Sequence, residues 1–437
     1  MWAISCAVLA GLIRVFPDSA TAETNAVNYR ADMDFLLQEL PRRAGHFFPA
    51  KQIDWQTVSN QFRVEAIGVS NDVQHVKLCQ RLLARLKDGH AHLVDLKVQL
   101  PDESQGRRRT GPRVHLLNVG EQVYVRQSFG SALTAGVQIG DEVLRIDGQP
   151  AFDWLKRSAQ ADADTTGYST SQQALYAAEH WGLADWEGTP IKFEVRRNGT
   201  NAIVEIVRRG RPNYAPIGPI FPPPSLATIG RQAYGKTTNG LGYIHLRDVP
   251  GNLPEQLDTV LAAVGDVPGL ILDMRANGGG GCDHAAVFGR FIPAGQKWRT
   301  YVSAGKNPYA GPMVVIVDAG TRSAGETVAG MLKEDGRAYM IGDSATAGMS
   351  SSKTTLHVPS GLFAAYFSVA SNMGRFNNGK GIEGIGILPH EIVNYDPKEL
   401  AQGVDTQIRR TAELLKKGLP TTAVPYLASR QSRSPEN

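Results

Sequence analysis

The stretch DAGTRSAGETVAGML, residues 318–332, follows an apolar strand pattern, VVIVD, and leads into a helix pattern rich in small residues. The turn between them presents Ser323 where a helix from Ala324 to Leu332 is predicted to begin. At such a junction the first helical N–H groups, including that of Ala324, lack an acceptor in the helix and can stabilise a developing oxyanion. Ser323 is therefore a candidate nucleophile. The alternative is that it only caps the helix, because serine favours that position.

A second segment, LILDMRANGGGG at 270–281, runs a buried-strand pattern directly into four glycines, Gly278 to Gly281. A glycine backbone allows close approach of a substrate carbonyl. The alternative is a flexible turn without a chemical role. One segment offers a hydroxyl and the other offers amides, so the pair favours an acyl-transfer site over either alternative alone.

A nucleophilic serine needs a base, and LKDGHAHLV at 86–94 contains a candidate, His90. An amphipathic helix pattern from Val73 ends at the Asp88-Gly89 turn signal, and the following residues alternate like a strand. His90 is thus expected on a loop of the kind that carries function. His92 lies two residues further on and is either a neighbour of the site or unrelated to it.

The third candidate is Glu383, a single carboxylate among glycines and isoleucines in GKGIEGIGILPHEIV at 379–393. In a catalytic triad an acid fixes the tautomer and orientation of the histidine. The alternative is an ordinary solvated loop acid.

These segments resemble the C-terminal processing (tail-specific) serine peptidases, and among them the branch related to the tricorn core protease. The matching segments occur in the family's order: DGHAHL around His90, GYIHLRDVP at 242–250, LILDMRANGGGG at 270–281, TRSAGETVAGMLKEDGRAYMIGD at 321–343 and GIEGIGILPHEIV at 381–393. The resemblance implies a crotonase-like (ClpP-like) α/β catalytic core with Ser323 as nucleophile. It also implies an oxyanion hole formed by the Ala324 amide and the glycine run near Gly279 and Gly280.

The residue expected to act as the base, and the residue beside it, differ from those of parts of this family. The processing peptidases proper use a lysine after the serine, and Gly348 stands where that lysine would fall. Lys353 follows nearby as a rival base, although a register shift along a strand changes which face a residue occupies. The missing lysine together with His90 and Glu383 favours the tricorn-like Ser/His/Glu arrangement. That branch also carries a serine immediately before the histidine, where this chain has Gly89.

Between His90 and the core, the segment AGVQIGDEVLRIDGQ at 135–149 resembles a PDZ domain. Two strand patterns joined at Asn198-Gly199 predict a hairpin at its end. Such domains bind extended peptides, usually C-terminal tails, by adding a strand to a sheet edge. Residues 152–186 interrupt the module with one or two predicted helices. The alternative for the module is a scaffold that no longer binds a tail.

The domain plan has five parts, with a boundary at IGPIFPPPS, 217–225, because consecutive prolines exclude helix. The parts are a signal peptide at 1–22, a helical N-terminal region carrying His90 at 23–108, the PDZ-like domain at 109–212, the catalytic core at 226–415 and a flexible tail at 416–437. The fold class is therefore α/β multidomain. An apolar run followed by Ala20-Thr21-Ala22 predicts cleavage near Glu23 and export to the periplasm or outside the cell.

The composition of the chain argues against nucleic acid as a binding partner. With 437 residues, 42% hydrophobic, 20% charged and a net charge of +4, the chain is typical of a soluble globular protein without the basic stripe of a nucleic-acid binder. The expected partners are peptides or proteins, and the sequence leaves room for an oligomer. Cleavage would remove Cys6 and leave Cys79 and Cys282, without metal-ligand spacing and without a clear disulfide, so no metal or cofactor is expected.

The sequence thus predicts a serine endopeptidase acting on unfolded or C-terminal-tail substrates. A non-catalytic peptide- or ligand-binding protein on the same fold, a Ser/Lys peptidase using Lys353, and a hydrolase of non-peptide acyl groups are the alternatives.

Overall fold

A computed structural model of the protein describes residues 28–209 and 218–431. The predicted signal peptide, its cleavage site and Cys6 lie outside these residues. The described chain contains a helical N-terminal region, a β-rich middle region and an α/β core, which confirms the α/β multidomain class. No helix in these two ranges is long and apolar enough to cross a membrane.

The N-terminal region consists of helices, and side chains cap the first turns of three of them. The helices are α1 Tyr29–Ala44, a 3₁₀ turn Gly45–Phe47, α2 Phe48–Lys51, α3 Trp55–Ala66 and α4 Asp72–Ala84. The side chains of Asn28, Asp54 and Asn71 accept N–H groups at the starts of α1, α3 and α4. Strand β1 (His92–Val94) follows and is shorter than the predicted strand, because only these three residues pair with the core hairpin.

The middle region is an antiparallel sheet with two helices packed together. Its elements are β2 Arg109–Thr110, β3 Val114–Val119, β4 Gln122–Ser128, α5 Ser131–Thr134, β5 Glu142–Ile146, β6 Gln149–Pro150, α6 Ala151–Asp162, α7 Ser171–Trp181, β7 Asp185–Trp186, β8 Pro190–Arg197 and β9 Thr200–Val207. Strands β8 and β9 form the predicted hairpin at Asn198-Gly199. Helices α6 and α7 fall in the predicted insert.

The core is built on a seven-stranded sheet in the order β10-β11-β12-β13-β16-β17-β20, parallel from β12 to β20. Its elements are β10 Ala227–Ile229, β11 Gln232–Lys236, β12 Gly242–His245, α8 Leu253–Val264, β13 Leu270–Asp273, α9 His284–Gly289, β14 Lys297–Trp298, β15 Tyr301–Val302, β16 Met313–Val317, α10 Ala324–Glu334, β17 Tyr339–Gly342, β18 Ser351–His357, β19 Ala364–Ser371, β20 Glu391–Ile392, α11 Pro397–Ala401, α12 Thr406–Lys417 and α13 Pro425–Gln431.

Both faces of this sheet are covered, which explains the uninterrupted apolar runs of β13 and β16. Helices α8, α9 and α10 pack on one face and α12 with the following segment on the other. Because β13 and β16 are parallel neighbours, their carboxyl ends place the glycine loop and the Ser323 turn side by side.

The prediction of a flexible tail from residue 416 is wrong for the part that the structure describes. Leu419, Val424 and Tyr426 are buried against the second face of the sheet, and α13 follows from Pro425. These apolar side chains complete the cover that α12 begins, so the segment is ordered by packing. Residues 432–437 lie outside the described chain.

The two cysteines expected in the mature chain do not pair. Cys79 is buried on α4 and Cys282 lies after the glycine loop, and both are free thiols. The disulfide that the sequence left open is therefore absent between them.

Candidate active site

Ser323 stands at the strand-to-helix turn that the sequence predicts, between β16 and α10. Its backbone has φ 56° and ψ −127°, a conformation that residues with a side chain adopt only when the surroundings enforce it. The Ser323 N–H donates to Glu326 Oε2 at 3.0 Å, which holds the turn. The serine does occupy the N-cap position of α10, but its Oγ lies 3.3 Å from His90 Nε2. Its hydroxyl is thus placed for proton transfer.

The glycine loop touches the serine. A Cβ at Gly279 would lie 2.6 Å from Ser323 Cβ, so a side chain there would displace the nucleophile. Gly280 has φ 139°, and a Cβ there would lie 2.2 Å from the carbonyl oxygen of Val249. Close packing on both sides therefore requires glycine at these two positions.

The three predicted oxyanion donors are not equivalent. The Gly279 N–H already donates to Asn277 Oδ1 at 2.9 Å. The N–H groups of Gly280 and Ala324 have no acceptor among the residues that the structure describes. Gly280 and Ala324 thus offer the free amides, while Gly279 brings the loop close to Ser323.

His90 lies in the turn between α4 and β1, where the sequence places it. Burial lowers the pKa of His90 to about 4, with a smaller opposing effect of Asp88, and the positive charges of Lys353 and Arg322 add to the lowering. The imidazole is therefore neutral at pH 7 and able to accept a proton. His92 is exposed and lies against Tyr366, with its Nδ1 on the His90 carbonyl oxygen at 2.7 Å.

Asp88 fixes this turn, a role that the sequence did not reveal beyond the Asp-Gly turn signal. Its carboxylate accepts the His90 N–H at 2.9 Å, and it accepts the N–H and hydroxyl of Ser368 at 2.7 and 3.0 Å. Asp88 thus anchors the histidine turn to strand β19. Its Oδ1 is 3.9 Å from His90 Nδ1, too far for a direct hydrogen bond.

Glu383 is fully buried rather than a solvated loop acid. Its Oε1 accepts from Lys51 Nζ at 2.7 Å and from the Ser169 hydroxyl at 2.9 Å. Burial raises the pKa of Glu383 to about 6, and the charge of Lys51 opposes that rise. At pH 7 the carboxylate is therefore ionised.

Glu383 and His90 each have one buried polar atom without a hydrogen-bond partner in the described residues. Glu383 Oε2 and His90 Nδ1 are buried and find no hydrogen-bond partner within 28–209 and 218–431. A ring nitrogen of His90 and single oxygens of Glu383 and Asp88 lie within 4.8 Å of one another, a distance that one water spans. A cation there would compete with the Lys51 ammonium for Glu383, so this donor set suits hydrogen bonding better than metal binding.

Glu326, three residues after the serine, is a buried acid that supports the turn. It accepts the Ser323 N–H, the Thr346 hydroxyl and the N–H groups of Gly348 and Met349, at 2.6 to 3.0 Å. Burial raises the pKa of Glu326 to about 8, while these donors stabilise its ionised form.

Gly348 stands where the family resemblance places a lysine in the processing peptidases proper, and the structure leaves no room for a lysine side chain there. Gly348 has φ 77°, and a Cβ on it would lie 2.5 Å from Thr170 Cγ2. Lys353 sits at a register irregularity of β18, and no hydrogen bond joins it to Ser323 in the described chain.

Comparisons with known proteins support a serine peptidase. Residues 240–393 match the model of peptidase family S41. The carboxyl-terminal-processing protease of Picosynechococcus sp. is 22% identical over 438 residues, covering 94% of each chain. The chloroplastic C-terminal processing peptidase of Tetradesmus obliquus is 32% identical over 182 residues, which cover 38% of this chain and 37% of that protein.

Solved structures with the same fold include mature CPAF. Its crystal structure has a TM-score of 0.65 at 14% identity and covers 89% of this chain and 98% of that one. Residues 240–393 are therefore similar to peptidase family S41, and the chain as a whole is similar to carboxyl-terminal-processing proteases.

Proposed function

We propose that this peptidase hydrolyses peptide bonds of unfolded or C-terminal-tail substrates through a Ser/His/Glu acyl-enzyme mechanism, with Ser323 as the nucleophile. One observation carries the proposal: Ser323 Oγ lies 3.3 Å from Nε2 of His90, whose pKa burial holds near 4. A neutral imidazole at that distance is the arrangement that a general base requires.

The reaction then follows from the geometry. His90 Nε2 takes the proton of Ser323 as Oγ bonds to the substrate carbonyl carbon. The Gly280 and Ala324 N–H groups donate to the oxyanion, a contribution of about 3 to 4 kcal/mol per donor in comparable sites. The peptide C–N bond breaks, and His90 returns the proton to the leaving amine. Water activated by His90 hydrolyses the acyl-enzyme.

Glu383 acts on the far side of the imidazole. Its free Oε2 and the free His90 Nδ1 define the pair through which a carboxylate stabilises the imidazolium that forms in the transition state. This supports the tricorn-like Ser/His/Glu arrangement over the Ser/Lys arrangement.

Substrate delivery and export complete the proposal. The middle region serves as a PDZ-like peptide-binding domain that presents extended tails to Ser323. Its support is the AGVQIGDEVLRIDGQ segment and an antiparallel sheet with β3 at one edge.

The protein acts after export, and the signal peptide is cleaved near Glu23. Sequencing the N-terminus of the mature protein tests this.

The test of the mechanism compares the wild type with Ser323→Ala, His90→Ala and Lys353→Met. We expect the wild type to cleave an unstructured protein and to be labelled by a fluorophosphonate. Ser323→Ala and His90→Ala should lose both activities by at least about 10³-fold, whereas Lys353→Met should stay within a few-fold because Lys353 touches neither reacting group. Loss of activity in Lys353→Met with retention in His90→Ala would establish the Ser/Lys alternative instead. A wild type that is inert toward both reagents would contradict the proposal altogether.

A further inference from the structure

The middle region contributes a hydroxyl to the catalytic carboxylate. Ser169 lies in the segment between α6 and α7, and its Oγ donates to Glu383 Oε1 at 2.9 Å. The same Oγ accepts the backbone N–H of Gly89 at 3.0 Å. Ser169 is buried, and it joins the acid of the site to the residue that precedes His90.

The segment around Ser169 is held in one place from several directions. The Ser169 N–H donates to Gln173 Oε1 at 2.7 Å, and the Thr170 hydroxyl donates to the Ala347 carbonyl at 2.8 Å. A Cβ on Gly167 would lie 2.2 Å from the carbonyl oxygen of Asp88. The segment therefore packs directly against the histidine turn and the loop after β17.

This geometry explains how the site accommodates Gly89, which stands where the tricorn-like branch carries a serine. A Cβ on Gly89 would lie 2.7 Å from Met349 Sδ and 2.9 Å from Gln173 Nε2, so the space beside this residue is already filled. The hydroxyl that meets both Gly89 and Glu383 comes instead from Ser169, 80 residues away.

We propose that Ser169 is a positioning residue of the peptidase: with Lys51 it fixes Glu383 Oε1, so that Oε2 is left free to accept from His90 Nδ1, directly or through a water. The proposal rests on the proposed Ser/His/Glu mechanism. It makes the helical insert part of the active site, because the catalytic acid is oriented only when the middle region is docked on the core.

The charges around Glu383 determine how the loss of Ser169 would be detected. Lys51 from α2 faces the carboxylate with a positive charge, and Asp88 adds negative charge from the histidine turn. Glu326 on α10 is mostly protonated below pH 8, because burial raises its pKa to about 8. His90 is neutral. The Ser169 hydroxyl favours the ionised form of Glu383, so its removal raises the pKa of this group further. Activity that depends on ionised Glu383 is then lost at a higher pH as the solution is acidified.

The experiment measures kcat and KM on a fluorogenic peptide between pH 4 and 8, together with the thermal unfolding midpoint, for the full chain. The variants are Ser169→Ala, Ser169→Thr and Ser171→Ala. Ser171 is the matched control, because it is an exposed serine two residues further on, at the start of α7.

We expect Ser169→Ala to lower kcat by about 10- to 100-fold, the effect of losing one hydrogen bond to a charged group, with KM little changed. Its acid limb should move to higher pH. Ser169→Thr should recover part of kcat and restore the acid limb, and Ser171→Ala should behave as the wild type.

Two outcomes would overturn the proposal: wild-type kcat and acid limb in Ser169→Ala, or a loss of activity that follows a lowered unfolding midpoint without movement of the acid limb. Failure of the mechanism itself is recognised separately, because either Ser323→Ala or His90→Ala would then match the wild type.

Discussion

At the scale of single residues, Gly280 combines two requirements, a free N–H and the absence of a side chain. Its φ of 139° and the 2.2 Å approach to Val249 exclude a Cβ. We expect Gly280→Ala to lower kcat by about 10²- to 10³-fold, the loss typical of a displaced oxyanion donor. The measurement is kcat on a fluorogenic peptide.

Gly281 is the control for this prediction. A Cβ on Gly281 meets no atom within 4 Å, and the backbone N–H already donates to Val249 at 2.7 Å. Gly281→Ala should therefore keep kcat within a few-fold. Equal losses in both variants would mean that general loop flexibility, rather than the Gly280 amide, matters.

The residues of the site differ in how far sequence could reveal them. Ser323 and the glycines have local signatures, namely a strand, a turn and a helix start, and the structure brings Ser323 within 3.3 Å of His90. Their catalytic roles remain predictions. Lys51 and Ser169 have no local signature, because they act through contacts with Glu383 that span 332 and 214 residues. Such contacts depend on how distant segments pack.

At the scale of elements, the side chain of Asp318 links the segment before the glycine loop to the turn that carries Ser323. Asp318 Oδ1 accepts the N–H of Ala276 at 2.7 Å and that of Gly320 at 3.0 Å, and so links the end of β13 to the end of β16. Burial raises the pKa of Asp318 to about 7. The link thus uses one oxygen and does not require a charge.

Asp318→Ala leaves these buried N–H groups without an acceptor, at about 1 to 3 kcal/mol each. We expect at least about a tenfold fall in kcat and a lower unfolding midpoint. Asp318→Asn keeps the accepting oxygen and should remain within a few-fold of the wild type. Measuring kcat and the thermal unfolding midpoint of both variants tests this prediction. An Asn variant as impaired as the Ala variant would show that the negative charge is needed.

Most elements of the core were predictable because their patterns are local. The helix expected at Ala324 to Leu332 is observed as Ala324–Glu334, and LILD forms a buried strand. The strand after His90 is shorter than its alternation suggests, because its length is set by the partner strand β19 rather than by its own sequence.

At the scale of the whole molecule, the C-terminal segment behaves as part of the core. Leu419, Val424 and Tyr426 are buried against the sheet. Ending the chain after Lys417 should reduce the free energy of unfolding by about 5 kcal/mol, at about 1.5 to 3 kcal/mol for each apolar side chain. Denaturant unfolding measures this change.

The matched truncation ends the chain after Gln431 and keeps all three side chains. The difference in the free energy of unfolding between the two truncated chains then measures the contribution of residues 418–431. If the truncation after Lys417 were equally stable, the buried positions of these residues would not contribute to the fold in solution.

The packing of the three regions against each other was beyond sequence reasoning. The α/β class and the helical N-terminal region follow from periodicity and composition, whereas the few apolar residues of the tail show no regular spacing that predicts their burial. Their partners, Tyr243, Ile271 and Val314, lie on strands far earlier in the chain.

The wide separation of Lys51, Ser169 and Glu383 along the chain has a consequence for biosynthesis. Ser323 and His90 both precede Glu383 in the chain, and Glu383 can be held in place only after it has packed against two much earlier segments. A growing polypeptide is itself an unfolded substrate. Under the proposed mechanism, we therefore expect a nascent chain in which Glu383 has not yet packed against Lys51 and Ser169 to be unable to cut itself.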